Sequence, residues 1–199
     1  TMTRALDMAT FGQSASTGAI IQVQAKQLTT TAISTTATFS DWVAIEGGSE
    51  ATNFHVDISP KQTNSDFHVT LTTSVGGDGY GEGMILLRRG YDSSGGTSFS
   101  FTDIKGDSAG SSTQATYTSS FDFYDTGDVS THTGHLITVT SQIFDEDVSY
   151  VAGGKFRYKV YWRNPNNTAG DLYLNRPSST SNAERATGIS SIIVQEIAG

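Results

Sequence analysis

No cysteine occurs anywhere in the 199 residues, so a disulfide framework, a thiolate zinc site and a thiol nucleophile are excluded together. No apolar stretch approaches membrane-spanning length, and no charged-then-apolar leader opens the chain. Neither membrane insertion nor a signal peptide is therefore expected. Charge is scarce and lopsided: 16% of residues are charged, with 12 basic against 20 acidic side chains and a net charge of −8. Affinity for nucleic acid comes from clustered Lys and Arg, so a phosphate-backbone partner is set aside. Lys and Arg are missing altogether from Gly106 to Gly154, after which Lys155, Arg157, Lys159 and Arg163 follow closely. The acidic stretch and the basic one could pair across a sheet, although separate solvated faces are the plainer reading.

Prolines number only three, and Ser, Thr and Gly dominate, so hydroxyls rather than ion pairs carry the solubility. Such a composition suits β structure, where Thr is favoured. Only "TRALDMATFGQ" reads as helical, with Leu6, Met8, Ala9 and Phe11 among polar residues and Gly12 as a stop. A helix so short is marginal alone, so it is expected to pack on a partner or continue a longer chain. Thr1 standing before Met2 points the same way, to a chain cut from something longer or carrying an expression remnant.

From Gly18 onward the period is two. In "DFHVTLTTSV", Phe67, Val69, Leu71, Thr73 and Val75 share one face, with His68, Thr70, Thr72 and Ser74 on the other. "KFRYKVYW" repeats the pattern, Phe156, Tyr158, Val160 and Trp162 opposing Arg157, Lys159 and Tyr161. Further strands are expected over Ala19–Ala25, Thr38–Ile45, Asn53–Ile58, Gly83–Arg89, Thr97–Ile104, Gln114–Tyr124, His135–Phe144, Asp171–Asn175 and Ser190–Ile197. Turn signals such as "GGDGYGEG", "DSSGG" and "NPNNTAGD" separate them. The expected fold is all-β, an antiparallel β-sandwich or jelly roll of about ten to eleven strands, with a short N-terminal helical neck at 1–17 and the sandwich over 18–199. The closing "GISSIIVQEIAG" keeps a dense apolar run for the end of the chain, which predicts a last strand in the middle of a sheet.

Few motifs promise chemistry. Gly106-Asp107-Ser108-Ala109-Gly110 satisfies G-x-S-x-G, but the following "SSTQATYTSSF" is strand-like where a nucleophile elbow needs a helix. A protease triad needs His and Asp upstream, and His55 sits mid-strand in "NFHVDI". A hairpin loop between two strands is the better reading, and no catalytic residue is assigned. Asp122, Asp125 and Asp128 with Asp145, Glu146 and Asp147 offer oxygens suited to calcium, without the EF-hand spacing. His132 and His135 form a loop pair with no third ligand nearby. No metal and no cofactor is assigned. For binding, Tyr80, Tyr91 and the run from Arg163 through Asn166 and Asn167 are expected on loops presented by a rigid scaffold.

Taken in order, "GAIIQVQ", "STTATFSDW", "ISPKQTNSDFHVTLTTSVGG", "GMILLRRG", "KFRYKVYW", "LYLNR" and "GISSIIVQEIAG" resemble the C-terminal head domains of bacteriophage tail-fibre and related appendage proteins, especially those of marine phages. The resemblance spans most of residues 18 to 199 and departs from the simplest members between Thr126 and Gly154. It implies a non-enzymatic β-sandwich head in the virion, often a homotrimer on a shaft, that adsorbs to a host-surface glycan or protein. Other virion proteins are further partners under this reading. A capsid decoration or head fibre is the alternative, and a polysaccharide depolymerase a more distant one. The family has no binding motif to transfer residue by residue.

Overall fold

The computed structural model describes residues 17–35, 41–77, 83–107, 110, 114–118, 136–146, 148–164, 171–177 and 186–199. Apart from Thr17, the expected helical neck lies outside these residues. Twelve strands and no helix occur among them: β1 Ile20–Leu28, β2 Ser34–Thr35, β3 Val43–Ala44, β4 His55–Ile58, β5 Asp66–Gly77, β6 Met84–Asp92, β7 Ser100–Ile104, β8 Tyr117–Thr118, β9 Leu136–Asp145, β10 Lys155–Arg163, β11 Leu172–Leu174 and β12 Ser190–Ile197. The strand at Ser34–Thr35 was not expected from the sequence. Among the described residues of the 38–45 stretch, the paired ones are Val43–Ala44, and residues 36–40 lie outside the described structure.

Period-two patterning builds both sheets. Along β5, Phe67, Val69 and Leu71 are buried while His68, Thr70 and Thr72 alternate with them, half-exposed. Along β10, Phe156, Tyr158, Val160 and Trp162 are buried on one side. Each sheet has six strands, and the pairings are antiparallel. In the first, β5 pairs with β9 along one edge, while β12 and then β11 share its other edge; β1 lies beyond β12 and β2 beyond β11. In the second, β10 pairs with β6 on one side and with β4 and β3 on the other, and β7 and β8 follow β6.

The two apolar faces close on one core. Val69, Leu71, Ile192 and Val194 from the first sheet cluster with Tyr158, Val160 and Trp162 from the second, giving a β-sandwich-like architecture. Phe67 meets Phe156 edge-on across the layers, with ring centroids 5.2 Å apart, and Tyr150 meets Phe156 at the same distance.

The terminal strand is central, between β1 and β5, as its apolar run predicts. Its outer end is tied to the start of the fold: the Gly18 N–H donates to the Ala198 carbonyl at 2.7 Å, and the Ala198 N–H donates to Ala19 at 2.9 Å. At the other end of β12, Asn175 takes a left-handed backbone (φ 61°) and is buried. Its amide donates to the Leu28 carbonyl at 2.9 Å and accepts from the Ser190 hydroxyl at 2.7 Å. A left-handed residue that also needs a two-way side chain is a position where Asn is favoured over Gly.

The basic strand is paired rather than merely solvated. Arg157 reaches Asp57 and Lys159 reaches Glu46, both outside the acidic stretch, while Asp145 within that stretch is taken by Arg89.

Candidate functional site

Strand register separates the residues expected to bind. Tyr91 lies next to the end of β6, beside Phe156, whereas Arg163 ends β10 at the opposite pole, beside Met84. Tyr80, Asn166 and Asn167 fall outside the described residues. The strands that flank them, ending at Gly77 and Arg163 and beginning at Met84 and Leu172, share the Arg163 pole. Tyr91 is therefore in a strand where a loop was expected, and its surroundings are structural. Its ring packs 4.9 Å from Phe156, its hydroxyl accepts the Val151 N–H at 2.9 Å, and a Cβ on Gly154 would come within 2.7 Å of it. Arg163 is half-buried, and its Nε is shielded with no hydrogen-bond partner among the described residues.

The other motifs yield little chemistry. Ser108, His132, His135, Asp122, Asp125, Asp128 and Asp147 lie outside the described residues. The loop that holds Ser108 is closed at its base by the Gly106 N–H donating to Ala115 at 3.2 Å. Asp145 accepts from Arg89 through one oxygen and from the Tyr158 hydroxyl through the other at 2.8 Å, so its oxygens are already occupied. No metal-binding cluster of three His, Asp or Glu occurs among the described residues.

The two outer sheet faces differ in kind. On the second sheet, Arg157 makes a two-pronged pair with Asp57 (2.7 and 2.9 Å) while lying 4.6 Å over Phe99. Arg88 pairs with Asp103 at 2.7 Å and stacks 4.3 Å over Tyr161, with Lys159 at that ring's flank. These bonds to Asp57 push the Arg157 guanidinium pKa further up. Every cation named here is matched by a carboxylate or a ring, so the face has little unspent charge for a ligand.

The outer face of the first sheet carries an uncharged patch, bounded by Asp66 of β5 at one end and by Arg176 over the Tyr173 ring at the other. Its register sets Val23, Gln195, His68 and Phe144 in one row across β1, β12, β5 and β9. Behind that row lies Ala25, Ile193, Thr70 and Gln142, and then Gln27, Ser191, Thr72 and Thr140. None of these twelve positions carries Asp, Glu, Lys or Arg. Among the described residues Phe144 is the most exposed of the large apolar side chains at 63%, and its ring lies parallel to His68 at 4.5 Å. Gln195 Oε1 holds His68 Nδ1 at 3.1 Å, and Thr72 bonds Thr140 across the strands at 2.9 Å.

Two clefts are formed by described residues. One of about 480 Å³ lies at the Tyr91 pole, lined by Thr63, Asn64, Asp66, Ser149 and Tyr150. Another of about 220 Å³ lies between edge strands β1 and β4, lined by Gln24, Lys26, Glu50, His55 and Asp57. There His55 is 4% exposed, its Nε2 lies 2.7 Å from Glu50, and its Nδ1 is buried without a partner among the described residues. Burial, helped by nearby Arg157 and opposed by Glu50, holds the His55 pKa below its ordinary value. The folded state then binds fewer protons at this site than the unfolded chain, so stability rises with pH across the window just below pH 6.5. Denaturant melts between pH 5 and 8 are expected to show that slope in the wild type. His55→Phe is expected to flatten it, and an unchanged slope would remove His55 as its source.

No family model matches this chain, and no curated protein does so either.

Proposed function

We propose that this protein is the head domain of a bacteriophage appendage, a tail fibre or a related structure, which adsorbs to a host-surface glycan without cleaving it. The observation that carries the reading is polarity. The opening and closing strands are fastened side by side at one pole, Gly18 to Ala198. A shaft joined there leaves the opposite pole and both outer faces free to meet a cell. The ordered resemblance to phage fibre heads supports it, as does a surface where hydroxyls and amides outnumber charges. On this reading the sandwich is a jelly-roll head, and a homotrimer multiplies weak single-site contacts into firm attachment.

The test joins solution mass by light scattering to adsorption on candidate host cells, with cell-surface glycans as competitors and glycan breakdown followed in parallel. A trimer that binds cells, is displaced by glycan and leaves the glycan intact is the expected result. A chain that ignores cells and binds purified capsids instead would transfer the assignment to a structural virion protein, and released sugar would transfer it to a depolymerase.

A further inference from the structure

We infer that the uncharged patch on the outer face of the first sheet is the glycan-binding surface, and that its ligand is a neutral oligosaccharide lying across β12, β5 and β9 with a sugar ring stacked on Phe144. This inference rests on the adsorption reading and deepens it. Three features of the face select the ligand.

The first is charge. No Asp, Glu, Lys or Arg stands in the rows from Val23 to Thr140, and the nearest charge on this face of β5 is the carboxylate of Asp66, so an acidic polymer gains no pairing there, while a neutral one meets no charge within the patch to desolvate. The second is size. Four strands about 4.8 Å apart and three side-chain rows give roughly 400 Å², well below the roughly 800 Å² per partner of a standard protein interface. A second copy of the chain would be held poorly by this patch alone, whereas a short run of sugars fits it.

The third is the chemistry of the exposed groups. Phe144 has one ring face against His68 and is otherwise open, at 63% exposure. An aromatic face is electron-rich and attracts the polarised C–H groups of a pyranose ring. Beside it stand Gln142, Thr70 and Gln195, in register on three neighbouring strands, with amide and hydroxyl groups for sugar hydroxyls. The ring is also held ready. His68 is fixed under it by Gln195, and both lie on paired strands, so little rotamer freedom is lost when a ligand binds.

The experiment runs the whole chain through native gels cast with dextran, mannan or galactomannan, and with dextran sulfate or alginate as acidic counterparts. Retardation by at least one neutral polymer, stronger than by any acidic one, is expected. Phe144→Ala and Gln142→Ala should each weaken it at least tenfold, whereas Phe101→Ala on the opposite face should not change it. Phe144 and Gln142 are exposed, and coincident thermal melts would show that the variants fold. No retardation in any neutral gel, preference for the acidic polymers, or wild-type behaviour of Phe144→Ala would each overturn the inference. So would Phe144-dependent capture of a protein with no glycan present. Wild-type adsorption to cells that survives Phe144→Ala undiminished would overturn this site and leave the adsorption reading standing. A wild type that neither adsorbs to cells nor is retarded would overturn both.

Discussion

Replacing Glu196 with alanine is expected to destabilise the fold by about 4 kcal/mol and to lower the melting temperature by roughly 8–16 °C. The carboxylate is buried in the terminal strand, and its bonds run to a single loop and a neighbouring strand. The Lys61 N–H donates to both of its oxygens (2.8 and 3.0 Å), the Gln62 N–H to one at 3.2 Å, the Ser65 hydroxyl at 2.7 Å and the Gln22 amide at 3.0 Å. Alanine would leave these donors facing a void, and each buried donor without a partner costs about 1–3 kcal/mol. The same loop grips Tyr150, whose hydroxyl accepts from the Ser65 N–H at 2.8 Å and donates to the Gln62 carbonyl at 2.7 Å. Loosening it would free the ring that packs on Phe67 and Phe156. Glu196→Gln should cost less, about 1–2 kcal/mol, because one acceptor oxygen survives while the amide NH₂ turns toward other donors. Urea unfolding with an unchanged slope is the measurement, and an alanine variant within 1 kcal/mol of wild type would contradict the assignment.

Glu196 also shows how far the sequence could be read. Its position on the buried face was legible, since period two places it with Ile192 and Val194. Its partners were not, because Lys61 to Ser65 stand more than 130 residues away and are brought in by the pairing of β12 with β5. The long strands were legible for the same reason of period. β12 matches its expected span, and each of the eleven expected strands has a counterpart. Ser34–Thr35 was too short to show a period and exists because Tyr173 and Leu172 lie opposite it. Tyr91 was assigned to a loop because its strand was expected to end at Arg89, ahead of the turn signal "DSSGG". Gly90 instead continues β6, paired with Arg157 and Phe101, and a Cβ there would lie 2.7 Å from the Phe101 ring. The turn begins only at Asp92, which accepts the N–H groups of Ser94 and Ser98, both at 2.8 Å. The uncharged patch followed the same rule: each strand's polar half was legible, but the order β1, β12, β5, β9 that joins them is set by distant pairing.

The second large effect is expected at Asp145, where alanine should cost about 3–5 kcal/mol. Its charge sits between the layers at 8% exposure, on edge strand β9, and both of its partners come from the opposite sheet, Arg89 on β6 and Tyr158 on β10. Removing it would strand a guanidinium at 20% exposure and leave a fully buried phenol without an acceptor. A buried pair need not stabilise relative to apolar residues of similar volume, however, because desolvating two charges offsets much of their attraction. The double replacement Arg89→Met with Asp145→Val should therefore recover most of the loss. In a double-mutant cycle that recovery reads as a coupling of more than about 2 kcal/mol, and simple additivity would show that the two side chains act independently. Tyr158 supplies an independent readout at the alkaline end. Burial, and then the Asp145 charge, push its phenol pKa well above the ordinary value of 10.0. The folded state thus keeps a proton that the unfolded chain releases, and stability should fall as pH rises through 10. Tyr158→Phe should remove that part of the alkaline slope at a cost of about 1 kcal/mol at neutral pH. Asp145→Ala should shrink the slope without abolishing it, since burial, the larger of the two causes, would remain.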